Sequence, residues 1–122
     1  MFVLSEEEFD QILLEAMESL PEEFKRKLDN VEVVVEDSPP PEILKKFPAN
    51  HLLLGLYQGV PHKRRTSHYG LVLPDKISIY KRNIEIASAS KEEIRERIRK
   101  TLLHEIGHHF SLTDKDLRRL GW

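Results

Sequence analysis

The stretch "LLHEIGHHF", residues 102–110, places His104, Glu105, His108 and His109 within six consecutive positions of the chain. Upstream, Ile94, Ile98, Leu102, Ile106 and Phe110 recur every four residues, so the segment reads as one long helix with a broad apolar side. Ser90 and Glu93 form a capping-box pattern that opens it. At about 100° per residue, His104 and His108 fall about 40° apart, on a different side from Leu102 and Ile106. His109 falls with the apolar stripe and reads as a hydrogen-bonded core neighbour of the site rather than a ligand.

Two imidazoles one turn apart on a helix suit a tetrahedral divalent metal, and Glu105 between them points into an adjacent sector. A carboxylate there reaches a water at the metal without ligating the metal, which is the placement of a general base. Gly107 costs about 1 kcal/mol relative to alanine inside a helix. Its lack of a side chain leaves room for a substrate or for close backbone approach.

The third ligand is narrowed by subtraction. The chain has no cysteine, and residues 109–122 hold no glutamate, which excludes a thiolate or a downstream glutamate. Asp114, six residues after His108, stands where the H-E-x-x-H-x-x-G-x-x-H pattern takes its third ligand, although Ser111 replaces the glycine of that pattern and no methionine follows. Asp116 and the loop histidines His51, His62 and His68 remain alternatives. An acid near a helix start is also favoured by the helix dipole alone, so position does not by itself make Asp114 a ligand.

The rest of the 122-residue chain is consistent with a single α+β domain, residues 1–122. Hydrophobic residues make up 39% and charged residues 33%, as in ordinary globular proteins. Ser5 and Glu8 cap a first helix through about Leu20, and Pro21 suits the start of a second through about Leu28. "VEVVVE" (31–36), "LLLGLYQG" (52–59) and "KISIY" (76–80) read as strands, "IEIAS" (84–88) as a further extension of the sheet, and "EILKKF" as one or two helical turns. A short last helix is expected after Thr113. The predicted architecture is a small mixed sheet with helices packed on one face and the site-bearing helix near the C-terminus.

No signal peptide and no apolar run near the roughly 20 residues of a spanning helix is evident, so a cytoplasmic protein without membrane association is expected. Residues 1–50 hold 13 acids and 5 bases, residues 51–122 hold 8 and 14. Five of those 14 bases lie in "KEEIRERIRK" (91–100), mixed with three glutamates as on a solvated helix face.

Three stretches, "LLLGLYQGVP" (52–61), "LPDKISIYKRNIE" (73–85) and "RIRKTLLHEIGHHFSLTDKDLRRLGW" (97–122), together resemble the bacterial minimal zincin metallopeptidase-like family. The resemblance covers about residues 52–122; Ser111 and the basic "PHKRR" (61–65) depart from the family pattern. It implies a compact single-lobe zincin-like fold, one Zn²⁺ per chain held by His104, His108 and Asp114, Glu105 as the base, and a peptide or protein substrate. In zincins a substrate lies antiparallel to the sheet's edge strand, for which "KISIY" or its neighbour is the candidate. Tyr57, Tyr69 and Tyr80 are candidates for stabilising the transition state. Two other readings compete. The spacing H-x₃-H-x₅-D is similar to the H-x₃-H-x₅-H of an endoribonuclease family, with "HKRRTSH" (62–68) available for phosphates. Alternatively, the metal serves only to pin the chain's end, with no catalysis.

Overall fold

The computed structural model describes residues 1–59 and 75–109, apart from the side chains of Asn30, His108 and His109. Helix α1 (Glu6–Glu18) starts at Ser5, whose Oγ accepts the Glu8 N–H at 3.1 Å, and it buries Phe9, Ile12, Leu13 and Ala16. Helix α2 (Glu22–Lys27) follows Pro21 and runs into a 3₁₀ turn, Leu28–Asn30. Strand β1 (Val31–Glu36) is followed by a single turn, α3 (Pro41–Leu44), then by β2 (Gly55–Gln58) and β3 (Asp75–Tyr80). Helix α4 (Lys81–Ala87) continues from β3 without a loop, and α5 (Lys91–His109) spans 19 residues.

The three described strands lie in the order β1-β3-β2. β1 runs parallel to β3, with Val33 opposite Ile77, and β2 runs antiparallel, with Tyr57 opposite Ile77 on the other side. "KISIY" is therefore the centre of the described sheet, and its neighbour β2 is at the edge. Ile77 and Ile79 point to one face, where they meet the buried sides of α1 and α5. That face is the main core: Ile94, Ile98, Leu102 and Ile106 of α5 are all at most 1% exposed. Tyr80 points to the opposite face, in a smaller cluster with Ile43 and Leu53. The α+β mixed-sheet architecture is as expected from the sequence.

Residues 84–88 depart from expectation. They form the end of α4 and its cap, not an extension of the sheet. The alternation Ile84-Glu85-Ile86 suggests a strand, but Glu85 is itself buried, 3% exposed. Its Oε2 accepts the Leu4 N–H at 2.8 Å and pairs with Lys81 Nζ at 3.0 Å, one helical turn away, while Lys81 also donates to the Leu4 carbonyl at 2.8 Å. Such a carboxylate is stable in the interior because its partners replace water. The strand expected at 52–59 is also shorter than read, at Gly55–Gln58. The last helix expected after Thr113 lies outside the described residues.

Helix α5 approaches β2 at Gly55. A Cβ there would stand 2.5 Å from Thr101 Cγ2 and 2.9 Å from the Ser78 carbonyl oxygen. Gly55→Ala is expected to destabilise the fold by about 1–3 kcal/mol through overpacking, read as a lower urea midpoint. Adding Thr101→Ser should recover part of the loss, because it removes Cγ2 and leaves the clash with the carbonyl.

Burial pushes the Tyr80 phenol above its ordinary value of 10.0, and the carboxylates of Glu36 and Glu105 act in the same sense against an opposing Ser78 contact. A pKa raised by folding gives stability that is complete below the unfolded value and is lost as pH rises towards the folded one. Urea midpoints across about pH 9 to 11 should therefore fall less steeply in Tyr80→Phe than in the wild type.

Candidate metal centre

The cap at the start of α5 fixes its phase. Ser90 Oγ accepts the Glu93 N–H at 3.2 Å, and Glu93 Oε2 accepts the Ala89 N–H at 2.6 Å. Four isoleucine and leucine residues then hold one side of the helix in the core, which leaves His104 and Glu105 half-buried on another. The helix continues through His108 to His109, so the i, i+4 spacing of the two expected ligands lies on regular helix. Gly107 is buried and is not among the described residues that line the cleft.

His104 and Glu105 line a cleft of about 290 Å³ between α5 and the segment leading into β2. Arg97, Lys100 and Thr101 complete the helix wall, and His51 to Gly55 form the opposite wall. His51, an alternative ligand in the sequence, thus faces the same cleft as His104, and its ring stacks on Phe47 at 5.4 Å between centroids.

Glu105 Oε2 accepts the backbone N–H of Tyr57 at 3.1 Å. The register of β2 gives this bond its meaning. The Tyr80 N–H donates to the Leu54 carbonyl at 3.0 Å. With Leu56 opposite Ser78 and Tyr57 opposite Ile77, the antiparallel alternation makes Leu56–Ser78 a hydrogen-bonded pair and Tyr57–Ile77 a non-hydrogen-bonded one. The N–H of Tyr57 therefore points away from β3, off the edge of the described sheet, and the carboxylate of the expected base is fixed on it.

The three candidate tyrosines separate. Tyr57 donates its phenol to Asp75 Oδ2 at 2.5 Å, and Asp75 is buried. Tyr80 is closed in the smaller core, 1% exposed. Tyr69 lies outside the described residues, as do His62, His68, Asp114 and Asp116 and the side chains of His108 and His109. Among the described residues no three His, Cys, Asp or Glu side chains converge as a metal site; of the expected ligands only the His104 side chain is among them. The donor set suits zinc nevertheless: imidazoles spaced one turn apart on an intact helix, the first opening onto a cleft, in a chain without thiolates. Sequence reading missed Arg97, Lys100 and Thr101 as cleft residues, and the Tyr57 N–H as the partner of Glu105. The helical phase of Arg97, seven residues before His104, was the available signal for the first.

No helix of the described residues is long and apolar enough to cross a membrane. No curated protein matches the sequence. A conserved hypothetical protein from Thermus thermophilus has a similar solved structure, with a TM-score of 0.58 and 27% sequence identity over 88% of this chain and 94% of that one. The model of the zincin-like metallopeptidase family matches residues 28–122, a span that includes the edge strand, the central strand and all of the His104-Glu105 helix. The chain belongs to the zincin-like metallopeptidase family.

Proposed function

We propose that the protein is a zinc-dependent peptidase in which His104, His108 and Asp114 hold one Zn²⁺ and Glu105 is the general base. The observation that carries this reading is the Glu105 carboxylate bound to the outward N–H of Tyr57 while His104 shares its cleft. Zinc supplies a Lewis acid that polarises the scissile carbonyl and makes a water easier to deprotonate.

The chain's own residues do the remaining work. Glu105 accepts the proton of the attacking water and returns it to the amine that leaves when the C–N bond breaks. Before a peptide binds, the hydrogen bond from Tyr57 holds the Glu105 carboxylate beside the sheet edge. Among the described strands β2 has one side turned away from β3, and backbone groups on that side suit a peptide lying as an added antiparallel strand. A peptide seated there competes with Glu105 for the Tyr57 N–H, and that exchange frees the carboxylate for the water.

The test combines metal content with hydrolysis. Purified wild type should contain about one zinc per chain, and His104→Ala should lose it. Glu105→Gln should retain the metal and lose peptide hydrolysis by about a hundred- to ten-thousand-fold. Full hydrolysis by a metal-loaded Glu105→Gln variant would remove Glu105 from the mechanism. A wild type that holds no divalent metal stoichiometrically would overturn the whole reading, and metal binding without any hydrolysis would leave a structural role.

A further inference from the structure

The end of the cleft away from Glu105 is basic. Arg97 and Lys100 line it together with the apolar segment Leu52 to Leu54. On helical geometry, Arg97 falls within about 20° of both His104 and His108, so the three share one stripe of α5. Arg97 stands two turns, or about 10 Å, before His104 on that stripe.

Arg97 is half-exposed, and one atom of its guanidinium is cut off from water. Its Nε is buried and has no hydrogen-bond partner, and no carboxylate pairs with the group among the described residues. The acids nearest in sequence are otherwise engaged: Glu93 accepts from Ala89, and Glu96 stands 4.0 Å from Lys100. Arg95, two residues earlier, is bound to Glu15 of α1 at 3.0 Å. A buried, charged donor without an acceptor is costly to a fold, and a ligand that supplies the acceptor recovers that cost. Glu105 is the one acid among the described residues that line the cleft, and it lies two turns from Arg97.

We infer that Arg97, assisted by Lys100, is the subsite for a substrate carboxylate, about three residues along the peptide from the bond that is cut. The spacing follows from about 10 Å of helix set against about 3.3 Å per residue of extended peptide. The planar, forked guanidinium matches a carboxylate in two-point geometry, whereas Lys100 adds charge without that directionality. The apolar wall of Leu52 to Leu54 excludes water from one side of the pair and strengthens it. The carboxylate is either an Asp or Glu side chain or the free C-terminus of the peptide. This inference deepens the peptidase reading and rests on it for the direction of the bound chain.

Binding tests it independently of turnover. The purified full chain carries Glu105→Gln to stop hydrolysis, and fluorescence anisotropy follows labelled eight-residue peptides of Gly, Ala and Leu. One peptide is amidated and uncharged, a second set carries a single Glu at successive positions with an amidated end, and a third is uncharged with a free carboxyl end. A peptide with one correctly placed carboxylate should bind about tenfold more tightly than the uncharged amide, and rising salt should reduce the difference. The second and third sets identify which carboxylate is recognised. Arg97→Gln should abolish the preference, Lys100→Gln, at an exposed position, should weaken it, and Arg97→Glu should shift it towards a Lys-bearing peptide. Circular dichroism and thermal melting verify that each variant is folded.

Equal binding of all peptides, no binding of any, or an undiminished preference in a folded Arg97→Gln variant would overturn the inference. Any of these leaves the zinc and hydrolysis results untouched. An acid preference in a chain that never hydrolyses a peptide would instead overturn the proposed activity alone.

Discussion

The close passage of α5 along β2 is the constraint on which the site depends. Thr101 meets Gly55 at a distance that no side chain at position 55 would allow, and one turn later Glu105 meets the N–H of Tyr57. The two spacings match. Four helical residues advance about 6 Å, and two strand residues advance about 6.7 Å. Helix and strand therefore keep step over this length, with Thr101 set against Gly55 and Glu105 against Tyr57. The cleft continues back along both elements, to Arg97 on the helix and to Leu52 to Leu54 on the segment that precedes β2. The missing side chain at Gly55 thus permits the close approach of α5 that also brings Glu105 to the sheet edge.

The helices are the most legible part of the sequence. The serine caps at Ser5 and Ser90 sit where the capping patterns place them, and the four-residue recurrence of Ile94, Ile98, Leu102 and Ile106 is the buried side of α5. The details of the caps depend on local geometry: Glu93 accepts from Ala89, one residue before the cap, and Glu8 accepts from the Ser5 hydroxyl. Residues 84–88 mislead because period-2 alternation over a few residues cannot tell a strand from a short helix whose polar residue is buried. The Lys81–Glu85 spacing of four is the competing signal, and its value comes from the Leu4 backbone, 81 positions away from Glu85 in the chain. The rank of "KISIY" within the sheet is equally hidden, since alternation reports a covered face and not the number of neighbouring strands.

For the site, side chains are legible and backbone partners are not. His104 and Glu105 announce themselves by residue type and spacing, and the structure brings both to one cleft. The donor that holds Glu105 is a main-chain N–H, and every residue but proline has one. Only the register of β2 against β3 shows that the Tyr57 N–H is turned outward, and register is a tertiary property. The same holds for Tyr57 itself: its phenol, a reasonable oxyanion donor by residue type, is occupied by Asp75 from the neighbouring strand.

The basic run of α5 shows how the fold sorts charges that a sequence lists together. Residues 91–100 mix five bases with three acids, and a solvated face is the expected reading. Phase divides them. Arg95 turns towards α1 and pairs with Glu15, Lys100 remains at the surface near Glu96, and Arg97 turns onto the stripe that carries His104. Exposed pairs such as the first two contribute little to stability, typically below about 1 kcal/mol. Arg97 differs in kind, because its Nε is removed from water and given no acceptor in return. A helix under no other requirement would gain by placing a glutamine or leucine at that position. Within this run, the base whose Nε is buried without an acceptor is the one aligned with His104, and that alignment is what the inferred carboxylate subsite rests on.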